Sequence, residues 1–263
     1  MKASTVALFA GAALALAPIS PTHAADAPAA PAPRAAPTMP APTVDAEAVQ
    51  AMDKMSAFLR TLNAFELTTD TTIDLVTNSG QTVQIGGQGV YKVRRPDRFS
   101  IQVNSDRRNR SYIYDGKQFT MYAPGLDVYA TRDAPATIRE TLDMMWQKYR
   151  IPLPLEDLFR WGDPKESRKD KLQSGYRVGD ATVNGVATDQ YAFREGEIDW
   201  QVWIQKGAQP LPLKLVITDR TDPANPSYIA RLSWRLNPTL SDTDFVFQPK
   251  KTDKPIRLTQ FEQ

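Results

Sequence analysis

The chain has 263 residues, with 32 lysines and arginines against 30 aspartates and glutamates, so its formal net charge at pH 7 is only +2. A domain that binds nucleic acid usually carries a larger basic excess on one face, so this balance argues against a nucleic-acid partner. The chain contains a single histidine, His23, and no cysteine, which excludes thiolate chemistry and disulfide bonds.

The first 24 residues have the order of a secretory signal peptide. Lys2 supplies a positive start, residues 6–17 form an apolar run, and small residues precede a cleavage point after Ala24. A run of this length is shorter than the about 20 residues that a membrane-spanning helix needs. We therefore expect an exported, periplasmic protein, cleaved near Ala24, with no transmembrane segment in the mature chain.

Cleavage there would remove His23 and leave few groups for catalysis. A chain without histidine or cysteine lacks the base of a Ser-His-Asp or Cys-His site and the nitrogen and sulfur ligands of zinc. Paired acidic residues remain at Glu195, Glu197 and Asp199 and at Asp242 and Asp244. Neighbouring acids on one turn rarely reach the about 5–9.5 Å separation that glycosidases use. We expect no catalytic residues, no metal site and no cofactor.

Residues 25–43 hold six prolines and eight alanines. This composition favours an extended polyproline spacer of up to roughly 60 Å. The segment is either a tether that holds the following domain away from a membrane or wall, or a disordered N-terminal segment without a specific role. Residues 44–263 are expected to form a single domain.

Two segments have helical periodicity. The first starts after Asp45 and repeats apolar residues at intervals of three and four; these are Val49, Met52, Met55, Leu59 and Leu62. The second starts near Pro135, a residue suited to a first helical turn. Its apolar face comprises Ile138, Leu142, Met145 and Tyr149, with Trp146 beside it.

Elsewhere the apolar period is two, as where Phe99 and Ile101 alternate with polar residues. Asp115-Gly116 and Asn184-Gly185 are hairpin signals. The run Gly86-Gly87-Gln88-Gly89 predicts a bulge or sharp bend before the next residue. We count ten or eleven strands with short connections, the last four at Trp200–Ile204, Leu213–Thr218, Tyr228–Leu236 and Phe245–Phe247. There is no βαβ rhythm, which favours an antiparallel sheet.

A sheet of that many strands must curve, because open sheets beyond about ten strands rarely stay flat. The two amphipathic helices also need an apolar surface to cover. The sequence predicts a mainly β (α+β) fold, a curved incomplete antiparallel β-barrel of about 10–11 strands whose concave face is covered by the helices. Between sheet and helices lies either an ordinary core or a dry cavity wide enough for an acyl chain.

Residues 91–103, YKVRRPDRFSIQV, place four basic side chains around one proline. Nucleic acid, an anionic membrane surface and a switch built from one arginine are competing explanations. A second basic cluster, residues 106–110, is predicted to be a hairpin loop. It is either a solvated loop or a contact for anionic headgroups or an acidic partner.

Several short motifs occur in a fixed order after the first helix. Arg95-Pro96 precedes Phe99, then comes Asp115-Gly116-Lys117, and near the end stands Phe245-Val246-Phe247-Gln248-Pro249. This series resembles the Arg-Pro-x-x-Phe turn, the DGK-x-aromatic strand pair and the terminal Phe-x-Phe-x-Pro of the LolA/LolB-type periplasmic lipoprotein carriers and receptors. It is similar also to a related set of predicted periplasmic proteins of unknown function.

The resemblance implies an incomplete barrel that holds the acyl chains of a lipoprotein under a helical lid. It also implies that Arg95, which alone matches the arginine of the Arg-Pro turn, bonds to the lid and controls its opening. The candidate cavity and lid residues are Arg95, Phe99, Ile101, Phe119, Met121, Met55, Leu59, Leu142, Met145, Trp146, Tyr149 and Trp234.

The leading hypothesis from the sequence is a non-enzymatic periplasmic binder or carrier of an acyl chain, lipid or lipoprotein. The alternative is an envelope sensor or scaffold domain of the same fold, whose partner is another envelope protein. Fold alone does not decide between the two.

Overall fold

The computed structural model of the chain describes residues 43–153, 155 and 169–259, and the structural statements below concern these ranges. The expected signal peptide, its cleavage site and all but the last residue of the expected spacer lie outside them. The described residues form two helices and one large sheet.

Twelve strands make a single open sheet, antiparallel except at one edge. In chain order they are β1 Ala64–Val76, β2 Thr82–Arg94, β3 Arg98–Ser105, β4 Asn109–Tyr114, β5 Gln118–Ala123, β6 Val128–Asp133, β7 Leu172–Val183, β8 Val186–Glu195, β9 Ile198–Gln205, β10 Pro212–Asp219, β11 Ser227–Leu236 and β12 Lys254–Pro255. The spatial order is β12-β6-β5-β4-β3-β2-β1-β11-β10-β9-β8-β7, so two meanders extend from β1 in opposite directions.

The sheet is open and not a closed barrel, as the sequence predicted. Its two additional strands are β6 and the two-residue β12, which pairs in parallel with β6. The strand expected at Phe245–Phe247 is wrong. A 3-10 helix, Asp242–Phe245, ends there and an extended segment follows. Residues 246–250 form no strand, although the ring of Phe245 packs against Arg94 and that of Phe247 against Tyr122.

The helices are α1, Ala46–Thr61, and α2, Ile138–Tyr149. The stripe predicted for α1 is confirmed, with Met55 and Leu59 buried. Pro135 does not lie in the first turn of α2. The N-cap is Thr137, whose Oγ1 accepts a hydrogen bond from the backbone N–H of Glu140 at 3.2 Å. Neither α1 nor α2 is long and apolar enough to cross a membrane, and no other described helix is.

The two faces of the sheet differ in what covers them. Alternate residues of β1 beginning with Phe65 share one buried cluster with residues of α1 and α2, and we call this the inner face. The first row across it is buried on every strand from β1 to β5; it consists of Phe65, Val93, Phe99, Tyr114 and Phe119. The helices therefore pack against the inner face at this end of β1.

The predicted bulge at Gly86–Gly89 is wrong, because the register between β1 and β2 is unbroken there. The glycines provide space instead. A Cβ at Gly89 would stand 2.5 Å from Thr69 Oγ1 and 2.7 Å from Cε2 of Tyr91. The ring of Tyr91 therefore lies across the inner face over a position where no side chain fits.

The other face, which we call the outer face, is crossed by the C-terminal segment that precedes β12, residues 237–253. Lys92 Nζ contacts Asp244 Oδ1 at 2.7 Å. Arg94 donates to Asp242 and places its guanidinium carbon 5.2 Å from the ring centre of Phe245. Farther along, the ring of Phe247 lies 5.1 Å from Tyr122 and 5.0 Å from Tyr129. Charge pairs and aromatic contacts thus hold the segment against β2, β5 and β6.

We predict that Gly89→Ala lowers the free energy of unfolding by about 1–3 kcal/mol, the usual cost of overpacking a filled site. Urea unfolding of both proteins would measure the difference. Gly125→Ala is the matched control, because a Cβ at Gly125 meets no atom within 4 Å. Equal stability of the Gly89 variant and the wild type would contradict the close approach of Tyr91.

A second prediction concerns acid stability. The hydrogen bond from Lys92 lowers the pKa of Asp244 from 3.8 to about 2, assisted by hydrogen bonds from Ser241. A carboxylate with a depressed folded-state pKa stabilises the fold above pH 3.8 and loses this contribution as the pH falls through about 2.

Asp244→Asn should therefore lower the free energy of unfolding at neutral pH by about 0.5–1 kcal/mol, as for other exposed ion pairs. The difference from wild type should shrink below pH 3.8. Chemical unfolding across this pH range tests both statements, with the exposed Glu197→Gln as control. A difference that persists unchanged at the lowest pH would show that the Lys92 contact is not its source.

Candidate functional site

The inner face is closed at one end and accessible at the other. Along β1 the side chains of Phe65 and Leu67 are 2% and 0% exposed, whereas those of Ile73 and Leu75 are both 40% exposed. These residues share one face because they are separated by even numbers of positions. The accessible end keeps apolar side chains, although a solvated sheet face usually carries polar residues there.

A continuous apolar row crosses six strands at this accessible end. The register of β2, β1, β11, β10, β9 and β8 aligns Ile85, Ile73, Tyr228, Ile217, Trp200 and Phe193. We call this set the apolar row. Phe193 and Trp200 are stacked with ring centres 4.2 Å apart. Five strand spacings of about 4.8 Å make the row about 24 Å long.

Three tyrosine hydroxyls belong to the same face. Burial raises the pKa of Tyr228 to about 12. It also raises the pKa of Tyr91 and of Tyr112 above the ordinary range, and the nearby phenols of Tyr228 and Tyr112 raise that of Tyr91 further. All three groups therefore stay protonated at neutral pH, and each can donate a hydrogen bond.

The Arg95-Pro96 turn connects the two helices through its backbone. The N–H of Arg95 donates to the carbonyl of Asn63, just beyond α1, at 2.8 Å. The carbonyl of Pro96 accepts from the N–H of Ile138, the first residue of α2, at 2.9 Å. One turn thus fixes the end of α1 relative to the start of α2.

The side chain of Arg95 is unusual among the described residues. Its Nε is buried and has no hydrogen-bond partner within the described part of the chain. Burial lowers the pKa of the guanidinium, because the charged form loses hydration. The lid bond that the resemblance implies for Arg95 is not formed by this Nε to any described residue.

The other predicted cavity and lid residues divide by burial. Fully buried members of the core are Phe99, Ile101, Phe119, Met55, Leu59, Leu142 and Met145. Partly buried members are Met121, Tyr149 and Trp234. Trp234 Nε1 donates to the carbonyl of Pro212 at 2.8 Å. Trp146 is 44% exposed, with the guanidinium carbon of Arg150 5.4 Å from its ring centre. The structure joins the buried set into one core, which also contains Phe193 of the apolar row and contacts Trp200, Ile217 and Tyr228.

The sequence predicted that apolar and polar residues alternate along these strands, but it did not predict the apolar row. Trp200, Ile217 and Tyr228 each stood in a predicted strand, but nothing in the sequence aligns them. The pairing of β1 with β11 brings Ile73 to Tyr228 across more than 150 positions of sequence. A pattern of period two assigns each residue to a face and leaves its neighbours unspecified.

Three of the five paired acidic residues, Asp199, Asp242 and Asp244, form ion pairs with neighbouring basic groups. Asp199 accepts two hydrogen bonds from Arg194, at 2.6 and 2.7 Å, and these lower its pKa. Asp242 and Asp244 pair with Arg94 and Lys92. Among the described residues no group of three or more acidic, histidine or cysteine side chains could hold a metal ion. These three aspartates therefore make structural contacts.

Comparison with known proteins gives a family and a set of similar folds. A family profile described as "Predicted periplasmic protein (DUF2092)" matches residues 48–259. No curated protein matches the chain by sequence.

Solved structures with a similar arrangement include LprF from Mycobacterium bovis, at 11% identity over 76% of this chain and 97% of that chain, with a TM-score of 0.43. An uncharacterized conserved protein from Thermus thermophilus is 10% identical over 80% and 99%, with a TM-score of 0.46. The LolA superfamily protein NE2245 from Nitrosomonas europaea is 8% identical over 76% and 97%, with a TM-score of 0.36. At these scores the similarity carries no information about ligands.

The adjacent Arg94 and Arg95 give a matched pair for testing the buried cation. Arg95→Met is expected to raise the free energy of unfolding by about 1 kcal/mol or more, since it removes an unpaired buried charge and keeps an apolar stem. Arg94→Met is expected to lower it, because Arg94 donates to Asp242 and to the carbonyl of Leu240. Urea unfolding measures both. A loss of stability in both variants would show that Arg95 has a partner.

Proposed function

The chain belongs to the DUF2092 family of predicted periplasmic proteins, and we propose that it is a non-enzymatic binder or carrier of an acyl chain, lipid or lipoprotein. The observation that carries this proposal is the apolar row on the inner face. Phe193 at one end is buried, and the remaining five members, from Ile85 to Trp200, leave hydrocarbon surface partly accessible along about 19 Å, at about 4.8 Å per strand. This is comparable with the length of an extended long-chain acyl group.

The row matches an acyl chain in chemistry as well as in length. Its members are aliphatic or aromatic, and Ile73, its most exposed member, is 40% exposed. Each methylene removed from water contributes about 0.8 kcal/mol, so a chain laid along the row would bind without directional contacts. Such binding tolerates variation in chain length, which suits a carrier of lipids or lipoproteins.

The tyrosine hydroxyls supply the polar contacts that an acyl ligand requires. An ester or carboxyl group needs hydrogen-bond donors once it leaves water. Tyr228 stands within the apolar row, and Tyr91 interacts with it electrostatically. Because burial keeps both phenols protonated, they would donate to an ester oxygen near the row.

The helices act as the lid in this proposal, and Arg95 is its latch candidate. The backbone contacts of the Arg95-Pro96 turn reach both α1 and α2, so a change at the turn would move both helices together. The unpaired Nε would gain a partner in a second arrangement of the lid. The proposal includes export to the periplasm with cleavage near Ala24.

Lipid content is the direct test. The protein would be purified from the periplasm of an expressing bacterium and extracted with organic solvent, and the extract would be analysed by mass spectrometry. We expect lipid in stoichiometric amount. Lipid-free protein that captures one envelope protein would instead favour the sensor or scaffold alternative.

Ile73→Gln is expected to weaken binding of a fluorescent fatty acid about 5- to 30-fold, since it removes about 1–2 kcal/mol of apolar contact at the most exposed member of the row. Val90→Gln is the matched control, because Val90 is also 40% exposed but faces the outer side of β2. Fluorescence titration compares the two variants. Equal affinities would exclude the apolar row as the binding surface.

A further inference from the structure

Three connections meet at one end of the sheet. The loop between β3 and β4 covers residues 106–108, and a 3-10 helix, Pro124–Leu126, joins β5 to β6. Ser111 of β4 pairs with Tyr122 of β5, so this loop and this 3-10 helix are neighbours. The backbone N–H of Lys254 donates to the carbonyl of Asp127 at 2.8 Å, which brings the C-terminal segment to the same place.

Basic side chains from two of these connections are concentrated here. We call the set Arg107, Arg108, Arg110, Lys250, Lys251 and Lys254 the basic rim. All are exposed except Arg110, which is half-buried. Within the described part of the chain, none of the six forms an ion pair. Elsewhere the described basic residues of the strands are often paired, as with Arg177 and Arg194.

The acidic residues nearby neutralise little of this charge. Asp106 accepts from the backbone N–H of Gly86 at 2.9 Å. Asp253 accepts from the hydroxyl of Tyr122 at 3.1 Å and from the backbone N–H of Lys250 at 2.7 Å. Both carboxylates are thus occupied by the fold itself. With Asp127 counted as well, the rim keeps an excess of three positive charges, six basic residues against three acidic ones.

An apolar side chain projects from the middle of the basic rim. Leu126, on the 3-10 helix between β5 and β6, is 66% exposed, the largest fraction among the exposed large apolar residues of the described chain. Ile256, two residues after Lys254, is 44% exposed. Leu126 and Ile256 therefore lie next to the C-terminal part of the rim and not within the core.

We infer that this end of the sheet docks on an anionic membrane surface. Lysines and arginines near an anionic bilayer are attracted to its headgroups, and an apolar residue projecting among them can enter the interface. An acidic protein or a nucleic acid would bind through the basic side chains alone, and the exposed Leu126 would not contribute to that binding. The inference does not rest on the lipid-binding proposal, because neither Leu126 nor any member of the basic rim belongs to the apolar row.

Vesicle co-sedimentation tests the inference with the protein purified from the periplasm. Wild type should bind vesicles of phosphatidylcholine mixed with phosphatidylglycerol, and should bind phosphatidylcholine alone weakly. The triple variant Lys250→Gln/Lys251→Gln/Lys254→Gln should bind the mixed vesicles about tenfold or more weakly, since each basic residue contributes about fivefold. Leu126→Gln should also weaken binding, and added salt should release the protein.

The matched control is Lys54→Gln/Lys148→Gln/Lys171→Gln, which removes the same charge from exposed lysines outside the rim and should bind like wild type. Ile73→Gln should also bind vesicles normally, which separates this surface from the fatty-acid site. The inference would be overturned if the rim variants bound the mixed vesicles as strongly as wild type, or if wild type bound neutral and mixed vesicles equally. A third result would also overturn it: the protein binds immobilised polyglutamate as strongly as the vesicles, and the Leu126→Gln variant binds vesicles like wild type.

Discussion

The pairing of β1 with both β2 and β11 is the constraint on which the rest of the structure depends. β1 is hydrogen-bonded to β2 along its whole length, from Ala64 to Val76, and to β11 from Phe65 to Ile73. A slip of one residue in either register would exchange the inner and outer faces of half the sheet. The buried row at Phe65 and the apolar row at Ile73 both exist because these two registers agree.

The two faces of that sheet are covered in different ways. The C-terminal segment covers the outer face with charge pairs and aromatic contacts, as between Arg94 and Phe245. The inner face is covered by helices near Phe65 and stays apolar where it is accessible, near Ile73. A protein that only needed a core would gain nothing from that accessible apolar line. This asymmetry is the physical basis for proposing the inner face as the surface that binds an acyl chain.

Arg94 and Arg95 are adjacent in sequence, but their side chains lie in different surroundings. The side chain of Arg94 is on the outer face and is fully engaged by Asp242, Leu240 and Phe245. The Nε of Arg95 is buried, and no described residue compensates it. A buried donor without a partner destabilises a fold, which is why Arg95 is proposed as the latch.

The sequence by itself determined the class of fold and the helices. Alternation at Phe99 and Ile101 and spacing at Met55 and Leu59 predicted the open antiparallel sheet and α1, because periods of 2 and 3.6 are set by local backbone geometry. The sequence wrongly predicted a bulge at Gly86–Gly89 and a strand at Phe245–Phe247. At both places packing against distant residues decides the conformation. Only the tertiary structure aligned Ile73 with Tyr228 and brought the residues around Leu126 together, because strand register and the meeting of loops depend on contacts between residues far apart in the chain.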